Sequence, residues 1–203
     1  LPPEGATTKA KSIWLEPSLN HEYGKEELGR LFGQSPFDFP KSTELIRKCL
    51  EIGTSGKGDI VLDFFAGSAT SAQSVLEADQ RDGKKRRFIL IQLPERIKNG
   101  QFANVAEIGK ERIRRVIDRI KEKQNGQLQL SNLDLGFRVF RLAESHFVSP
   151  NVPTDDIEAA FAQMDLFVEQ PIRADAQPEA VIYEVALNEG YSLSARVEQL
   201  SGI

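Results

Sequence analysis

The stretch Asp59-Ile60-Val61-Leu62-Asp63-Phe64-Phe65-Ala66-Gly67-Ser68-Ala69-Thr70 constrains the fold more than any other, together with its continuation Ser71-Ala72-Gln73-Ser74-Val75-Leu76. Its first half is a short β-branched and aliphatic run behind the glycine turn Gly56-Lys57-Gly58, the pattern of a strand buried on both faces. Its second half sets Ala72, Val75 and Leu76 on one face at helical spacing, so the chain passes from strand to helix across Phe65-Ala66-Gly67-Ser68. Such a βα turn lies at the carboxyl edge of an open parallel sheet, where ligands bind and the following helix presents unpaired N–H groups. Asp63 adds a carboxylate at the strand end, and Gly67 removes a Cβ that would hold a ligand off the backbone.

A carboxylate in the turn repels a diphosphate and suits a ligand with a cationic end. Neither Gly-Lys-Ser/Thr at the helix start nor Gly-x-Gly-x-x-Gly is present in this stretch. Asp-Phe-Phe-Ala-Gly-Ser-Ala-Thr resembles the S-adenosylmethionine-binding motif of amino-methylating DNA methyltransferases, usually Asp-Pro/Phe-Phe-Ala-Gly-Ser-Gly-Thr. The resemblance implies S-adenosyl-L-methionine as cofactor, held by Asp63, Phe64, Phe65, Ala66, Gly67, Ser68 and Thr70. Ala69 departs from the motif by one methyl: harmless if it lies in the first helical turn, weakening if the position needs φ > 0. The alternative is that Asp63 and Gly67 only shape a tight turn.

Two more stretches narrow the resemblance. Asn20 to Gly33, followed by Phe37-Asp38-Phe39-Pro40-Lys41-Ser42, is similar to the run after the target-recognition region in modification subunits of type III restriction systems. Ser42 stands where proline is usual, and either residue starts a helix. That helix is expected over about Thr43–Ile52, with Leu45, Ile46, Cys49 and Leu50 on one side, and a shorter one around Glu26–Phe32 with Gly33 as its cap. In the resembled family this region touches the methionine end of the cofactor, which implies roles for Phe37, Lys41 and Ser42. After the turn Asp82-Gly83, the run Phe88-Ile89-Leu90-Ile91 reads as a second doubly buried strand, completing a βαβ unit. Gln92 follows where an acidic residue usually accepts from the ribose hydroxyls. Phe-Ile-Leu-Ile-Gln-Leu-Pro-Glu is nonetheless how the type III subunits read here, so Gln92 and Glu95 join the implied cofactor contacts.

Beyond these anchors, Val105 to Lys123 reads as a long amphipathic helix with Ile108, Ile113, Val116, Ile117 and Ile120 as its buried stripe. Lys110, Arg112, Arg114, Arg115, Arg119 and Lys121 decorate the rest. Lys84-Lys85-Arg86-Arg87 reads as a solvated rim rather than a phosphate track. Phe137 to Leu142 alternates apolar and basic residues, as a strand with one wet face does. A helix is expected over Asp155–Phe167, with Ile157, Ala160, Phe161 and Met164 on one side, and shorter segments over Ala180–Leu187 and Leu193–Leu200.

Charge divides the chain. Residues 143–203 carry eleven acidic residues against two arginines, which leaves residues 1–142 at +5 within a total of −4. The boundary is expected near Ala143: a cofactor-binding part over 1–142, then an acidic, mainly helical appendage over 143–203 suited to another subunit rather than DNA. No apolar run approaches the ~18 residues of a membrane helix. The single Cys49 suits a reducing cytoplasm, and with only His21 and His146 beside it no metal site is expected.

The expected fold is α/β, a partial Rossmann-like S-adenosylmethionine methyltransferase sheet. The first residue is not methionine, so a piece of a longer protein is expected. In the resembled class a catalytic Asp-Pro-Pro-Tyr precedes the cofactor motif, and no Asp-Pro pair occurs in this chain. The resemblance therefore implies the cofactor half of a DNA adenine-N6 methyltransferase, with no catalytic residue of its own. Its implied partners are double-stranded DNA, a restriction subunit and a second modification subunit. The competing reading is a non-enzymatic nucleotide-binding or subunit-interaction module whose turn is structural. An RNA or small-molecule methylase is disfavoured, since no Asn/Asp-Pro-Pro tetrapeptide follows Glu95.

Overall fold

The computed structural model describes residues 11–54, 58–97, 101–124, 134–148, 158–159, 161, 171–192 and 195–198. A 3₁₀ turn at Pro17–Leu19 leads to α1 (His21–Phe32), α2 (Thr43–Gly53), β1 (Ile60–Asp63), α3 (Thr70–Asp82), β2 (Arg87–Leu90) and α4 (Val105–Gln124); α5 (Pro178–Asn188) follows later. Close packing divides the chain into residues 1–137 and 138–203.

Local chemistry sets the helix ends. Helix α1 starts well before Glu26 because the Asn20 side chain accepts from Tyr23 N at 2.9 Å, and it stops at Gly33 with φ 88°. Ser42 caps α2, its hydroxyl accepting from Glu44 N at 3.1 Å. Asn104 Oδ1 accepts from Glu107 N at the start of α4.

Strands β1 and β2 run parallel, with Ile60 opposite Arg87 and Asp63 opposite Leu90. Helix α3 makes the crossover and packs against α2 on one side and α4 on the other. Ala69, Ala72 and Leu76 meet Ile113, Val116, Ile117 and Ile120, with Phe88 and Leu90 beneath them. Leu50, Val75 and Ala78 close the α2 side over Val61 and Phe88. Ile60, Leu62, Ile89 and Ile91, on the opposite sheet face, are 53%, 56%, 49% and 53% exposed. The expectation of strands buried on both faces is thus corrected: one helical layer covers the sheet, and its second face is bare among the described residues.

In residues 138–203, Phe147 pairs with Ile172 in an antiparallel bridge. Glu184 on α5 accepts from Ser145 Oγ (2.5 Å), His146 N (2.8 Å) and His146 Nδ1 (2.9 Å). The strand expected over Phe137–Leu142 is not formed. The segment has no regular structure, because no neighbouring strand supplies a ladder for it among the described residues. Of the helix expected over Asp155–Phe167, only residues 158, 159 and 161 are described, and these are helical; the rest lies outside the described residues. Of Leu193–Leu200, residues 195–198 are described, without regular structure.

Candidate functional site

The strand ends are sewn together where the turn begins. Ile91 N donates to Asp63 O at 2.9 Å, and Ala66 N to Ile91 O at 3.1 Å. The chain then takes two left-handed residues, Gly67 at φ 51° and Ala69 at φ 62°, ψ 39°, before α3 starts at Thr70. The left-handed region disfavours a Cβ by about 1–2 kcal/mol. Ala69 therefore occupies the unfavourable of the two cases open in the sequence, a position needing φ > 0 as the helix N-cap.

Asp63, the last residue of β1, turns its carboxylate into this bend. Oδ1 accepts from Phe65 N at 3.1 Å and Oδ2 from Ser71 Oγ at 2.5 Å. A carboxylate has about four acceptor sites, so about two remain. The Gly67 N–H is not free for a ligand, because it donates to Gln92 Oε1 at 2.7 Å, while Gln92 Nε2 donates to Leu93 O at 3.1 Å. Gln92 thereby clamps the β2 end to the turn. The ring of Phe37 lies 3.8 Å from where a Cβ on Gly67 would sit. Phe64 and Phe65 stand 60% and 83% exposed beside the turn, with ring centroids 5.0 Å apart.

The loop carrying Phe37 and Lys41 forms the second wall. Helix α1 approaches it so closely that a Cβ at Gly24 would come within 2.6 Å of Pro40 O. Thr70 Oγ1 donates to Lys41 O at 3.2 Å, and Ser74 Oγ to Thr43 O at 3.2 Å, so α3 holds the loop by its backbone. Ser42 is fully buried and donates to Ser18 O at 2.5 Å. Glu27 on α1 accepts from Thr43 N at 2.9 Å and also from Thr43 Oγ1. The Lys41 side chain is exposed.

Arg112 is the residue that sequence reasoning missed. Expected on the wet side of α4, it is 0% exposed. Its Nε donates to Gln73 Oε1 at 2.7 Å; its Nη1 is shared among Thr70 Oγ1 (2.8 Å), Ser68 Oγ (3.0 Å) and Ser68 O (3.3 Å). Its Nη2 is buried without a hydrogen-bond partner among the described residues. An unmet buried donor costs about 1–3 kcal/mol. Burial pushes the guanidinium down to about 10, against the weaker opposing pull of Glu27 and Glu77. A signal was present: Ile108, Arg112, Val116 and Ile120 follow one another at i+4, which places Arg112 inside the buried stripe. The basic rim needs a similar correction. Arg86 is buried and paired with Asp79 and Asp82, because the last turn of α3 offers two carboxylates beside the start of β2.

The fold thus gathers Phe37, the Lys41 backbone, Asp63, Gly67, Ser68, Thr70 and Gln92 at one end of the two strands. Ala66 is buried in the bend, and the buried Ser68 hydroxyl accepts from Arg112 behind the turn. Ser42 faces inward as a helix cap. Glu95 has an exposed side chain, its carbonyl accepting from Val105 N at 3.0 Å. An open bend with a partly used carboxylate and an aromatic ring over a missing Cβ suits a ligand that brings a cationic group. Two grooves lie elsewhere: about 410 Å³ between α3 and α4 around Gln80 and Arg119, and about 160 Å³ between α2 and α3 around Leu50 and Arg81. Among the described residues no helix is long and apolar enough to cross a membrane.

Comparison with known proteins places the chain in a family. The chain is 37% identical over 155 residues to the type III restriction-modification enzyme StyLTI Mod subunit of Salmonella typhimurium, covering 73% of the chain and 22% of that relative. It is 40% identical over 116 residues to the EcoPI Mod subunit of Escherichia phage P1, covering 54% of the chain and 18% of that relative. It is 34% identical over 85 residues to the type II methyltransferase M.KpnI of Klebsiella pneumoniae, covering 41% and 20% respectively. The chain therefore spans about a fifth of the length of these relatives. Residues 3–121, which carry the βα turn, the Phe37 loop and Arg112, match the model of the N6/N4 type described as DNA methylase, and the chain belongs to that family.

Proposed function

We propose that the chain is the cofactor-binding portion of a site-specific DNA adenine-N6 methyltransferase of a type III restriction-modification system, on a partial Rossmann-like sheet. The observation that carries the reading is the bend from Asp63 to Thr70 at the carboxyl ends of two parallel strands, with Phe37 over Gly67. S-adenosyl-L-methionine fits those residues. The spare acceptor capacity of Asp63 would take the amino group, Phe37 would lie by the sulfonium, and Lys41 would meet the carboxylate. Bound there, the cofactor supplies an electrophilic methyl group for an exocyclic base amine. The Gln92 carbonyl, spent on Gly67 N, shapes the turn and serves the ribose only by position. Ser42 supports from behind, and Glu95 lies at the rim.

The methyl acceptor would be a flipped base held by a catalytic tetrapeptide outside these 203 residues. In that arrangement the bare face of Ile60, Leu62, Ile89 and Ile91 is where the remainder of the domain packs. DNA, a restriction subunit and a second modification subunit are the partners this reading carries, and the cytoplasm is its compartment. The acidic segment, read from sequence as 143–203, is then a subunit contact.

One observation favours the second reading, a non-enzymatic nucleotide-binding or subunit-interaction module. Asp63 and the Gly67 N–H are both engaged by the chain's own groups. Isothermal titration with S-adenosylmethionine separates the two. The first reading expects saturable binding that Asp63→Ala weakens by about 10- to 100-fold, the worth of a charge-assisted bond. Equal heats from both proteins leave the second.

A further inference from the structure

Behind the cofactor turn, the first turn of α3 and a buried arginine meet. A helix N-terminus carries partial positive charge, so a cation placed beside it is disfavoured and, once buried, doubly so. Yet Arg112 is fully buried there, holds Ser68 and Thr70, and keeps Nη2 unmet among the described residues. No carboxylate lies within ion-pair distance of it among the described residues, whereas Arg86 at the other end of the same helix has two. An apolar side chain of similar volume would fill the space without a buried charge. What it would not supply is the set of hydrogen bonds. Arg112 Nη1 donates to Thr70 Oγ1, and the Thr70 hydroxyl passes its own proton to Lys41 O. One guanidinium thus fixes the turn after β1 and, through a single hydroxyl, the loop that brings Phe37 over Gly67.

Resting on the cofactor reading above, we infer that Arg112 is a positioning residue. From behind the turn it sets Ser68 and Thr70, and through Thr70 the Lys41 backbone, in the arrangement that receives the amino-acid end of a nucleoside-linked amino acid. Its positive charge adds to the α3 N-terminus on the side where that end's carboxylate would lie. The adenosine part depends on other groups and is indifferent to Arg112.

The test compares two ligands on the full-length protein, S-adenosylhomocysteine and 5′-methylthioadenosine, which lacks the amino-acid end. Affinities are measured by titration for wild type, R112M and Thr70→Val. The wild type is expected to prefer S-adenosylhomocysteine, and R112M to lose about 10-fold or more of that preference while binding methylthioadenosine nearly as before. Thr70→Val, which removes the relay hydroxyl but keeps the shape, is expected to lose part of the same ratio. A merely structural arginine would weaken both ligands alike and leave the ratio unchanged, and that result overturns the inference. Should R112M fail to fold, R112K decides in the same way: it keeps the charge but cannot span Gln73, Ser68 and Thr70 together, so a lowered ratio supports the inference and an unchanged ratio overturns it. A wild type that binds neither ligand overturns the cofactor reading, and this inference with it.

Discussion

The two ends of α3 each hold a buried arginine, and the protein treats them differently. At the carboxyl end, Arg86 forks onto Asp82 (Nη1 to Oδ1 3.0 Å, Nη2 to Oδ2 2.7 Å), reaches Asp79 at 2.7 Å and gives Nε to Thr54 Oγ1 at 3.0 Å. It thereby ties the ends of α2 and α3 to the start of β2, with its charge matched and the helix dipole in its favour. At the amino end, among the described residues, Arg112 meets only hydroxyl, amide and carbonyl oxygens, against the dipole, with one nitrogen unmet. The first arrangement is what stability alone would select. The second makes sense where the shape of the turn matters more than the stability of the helix beneath it.

The sharpest way to break this comparison is to remove each charge in turn. Arg86→Met strands Asp79 and Asp82, and is expected to lower stability by about 3–5 kcal/mol. Arg112→Met removes an unpaired cation along with its hydrogen bonds, and is expected to lower it by only about 1–2 kcal/mol. Urea unfolding followed by Trp14, the single tryptophan, reads the right unit, because its ring lies 5.6 Å from Lys48 Nζ on α2. The reverse order of the two effects would sink the contrast.

Acid titration tests the Arg86 end further. Arg86, by hydrogen bonding, holds the Asp82 carboxyl below its usual 3.8. That contribution is whole above 3.8 and drains as pH falls through the lower folded value. Asp79 moves the other way: burial raises it despite Arg86, so its penalty is relieved as it protonates above 3.8. With both carboxyls protonated, Arg86 has no countercharge. The advantage of wild type over Arg86→Met is therefore expected to shrink as pH drops past 3.8 in urea midpoints measured across the range. A constant gap down to about pH 3 contradicts the pairing.

What the sequence disclosed follows the same division. The strand-turn-helix at Asp63–Thr70, the Ser42 cap and the isoleucine stripe of α4 are local patterns, set by period and by residue chemistry within a few positions. For Arg112 residue type and position conflict: it sits at i+4 from Ile108, on the buried stripe, but an arginine on a helix is normally wet. Gln92 carries no local sign of its partner, and only the folded register brings its carbonyl to Gly67, 25 residues away. The doubly buried strands failed for a related reason. A continuous apolar run states what a strand's faces require, not whether the described chain supplies both covering layers.

The smallest effect concerns one methyl group shared between the cofactor turn and α4. Ala69 holds its left-handed backbone while its Cβ packs in the core, and a Cβ built on Gly109 would lie 3.2 Å from it. Ala69→Gly relieves the φ strain, worth about 1–2 kcal/mol. It also forfeits a buried methyl of about 0.8 kcal/mol and frees the unfolded chain, so alone it is expected to come out within about 1 kcal/mol of wild type. Gly109→Ala alone gains helix propensity but crowds Ala69, and is expected to destabilise. Combined, the two changes move the methyl from turn to helix. The crowding disappears, the left-handed position carries glycine, and the α4 interior carries alanine, so the double variant is expected to exceed wild type by about 1 kcal/mol. A double-mutant cycle in urea reads the coupling directly. Additive single effects would mean that Gly109 is not the glycine that makes room for Ala69, and that the turn tolerates its alanine for some other reason.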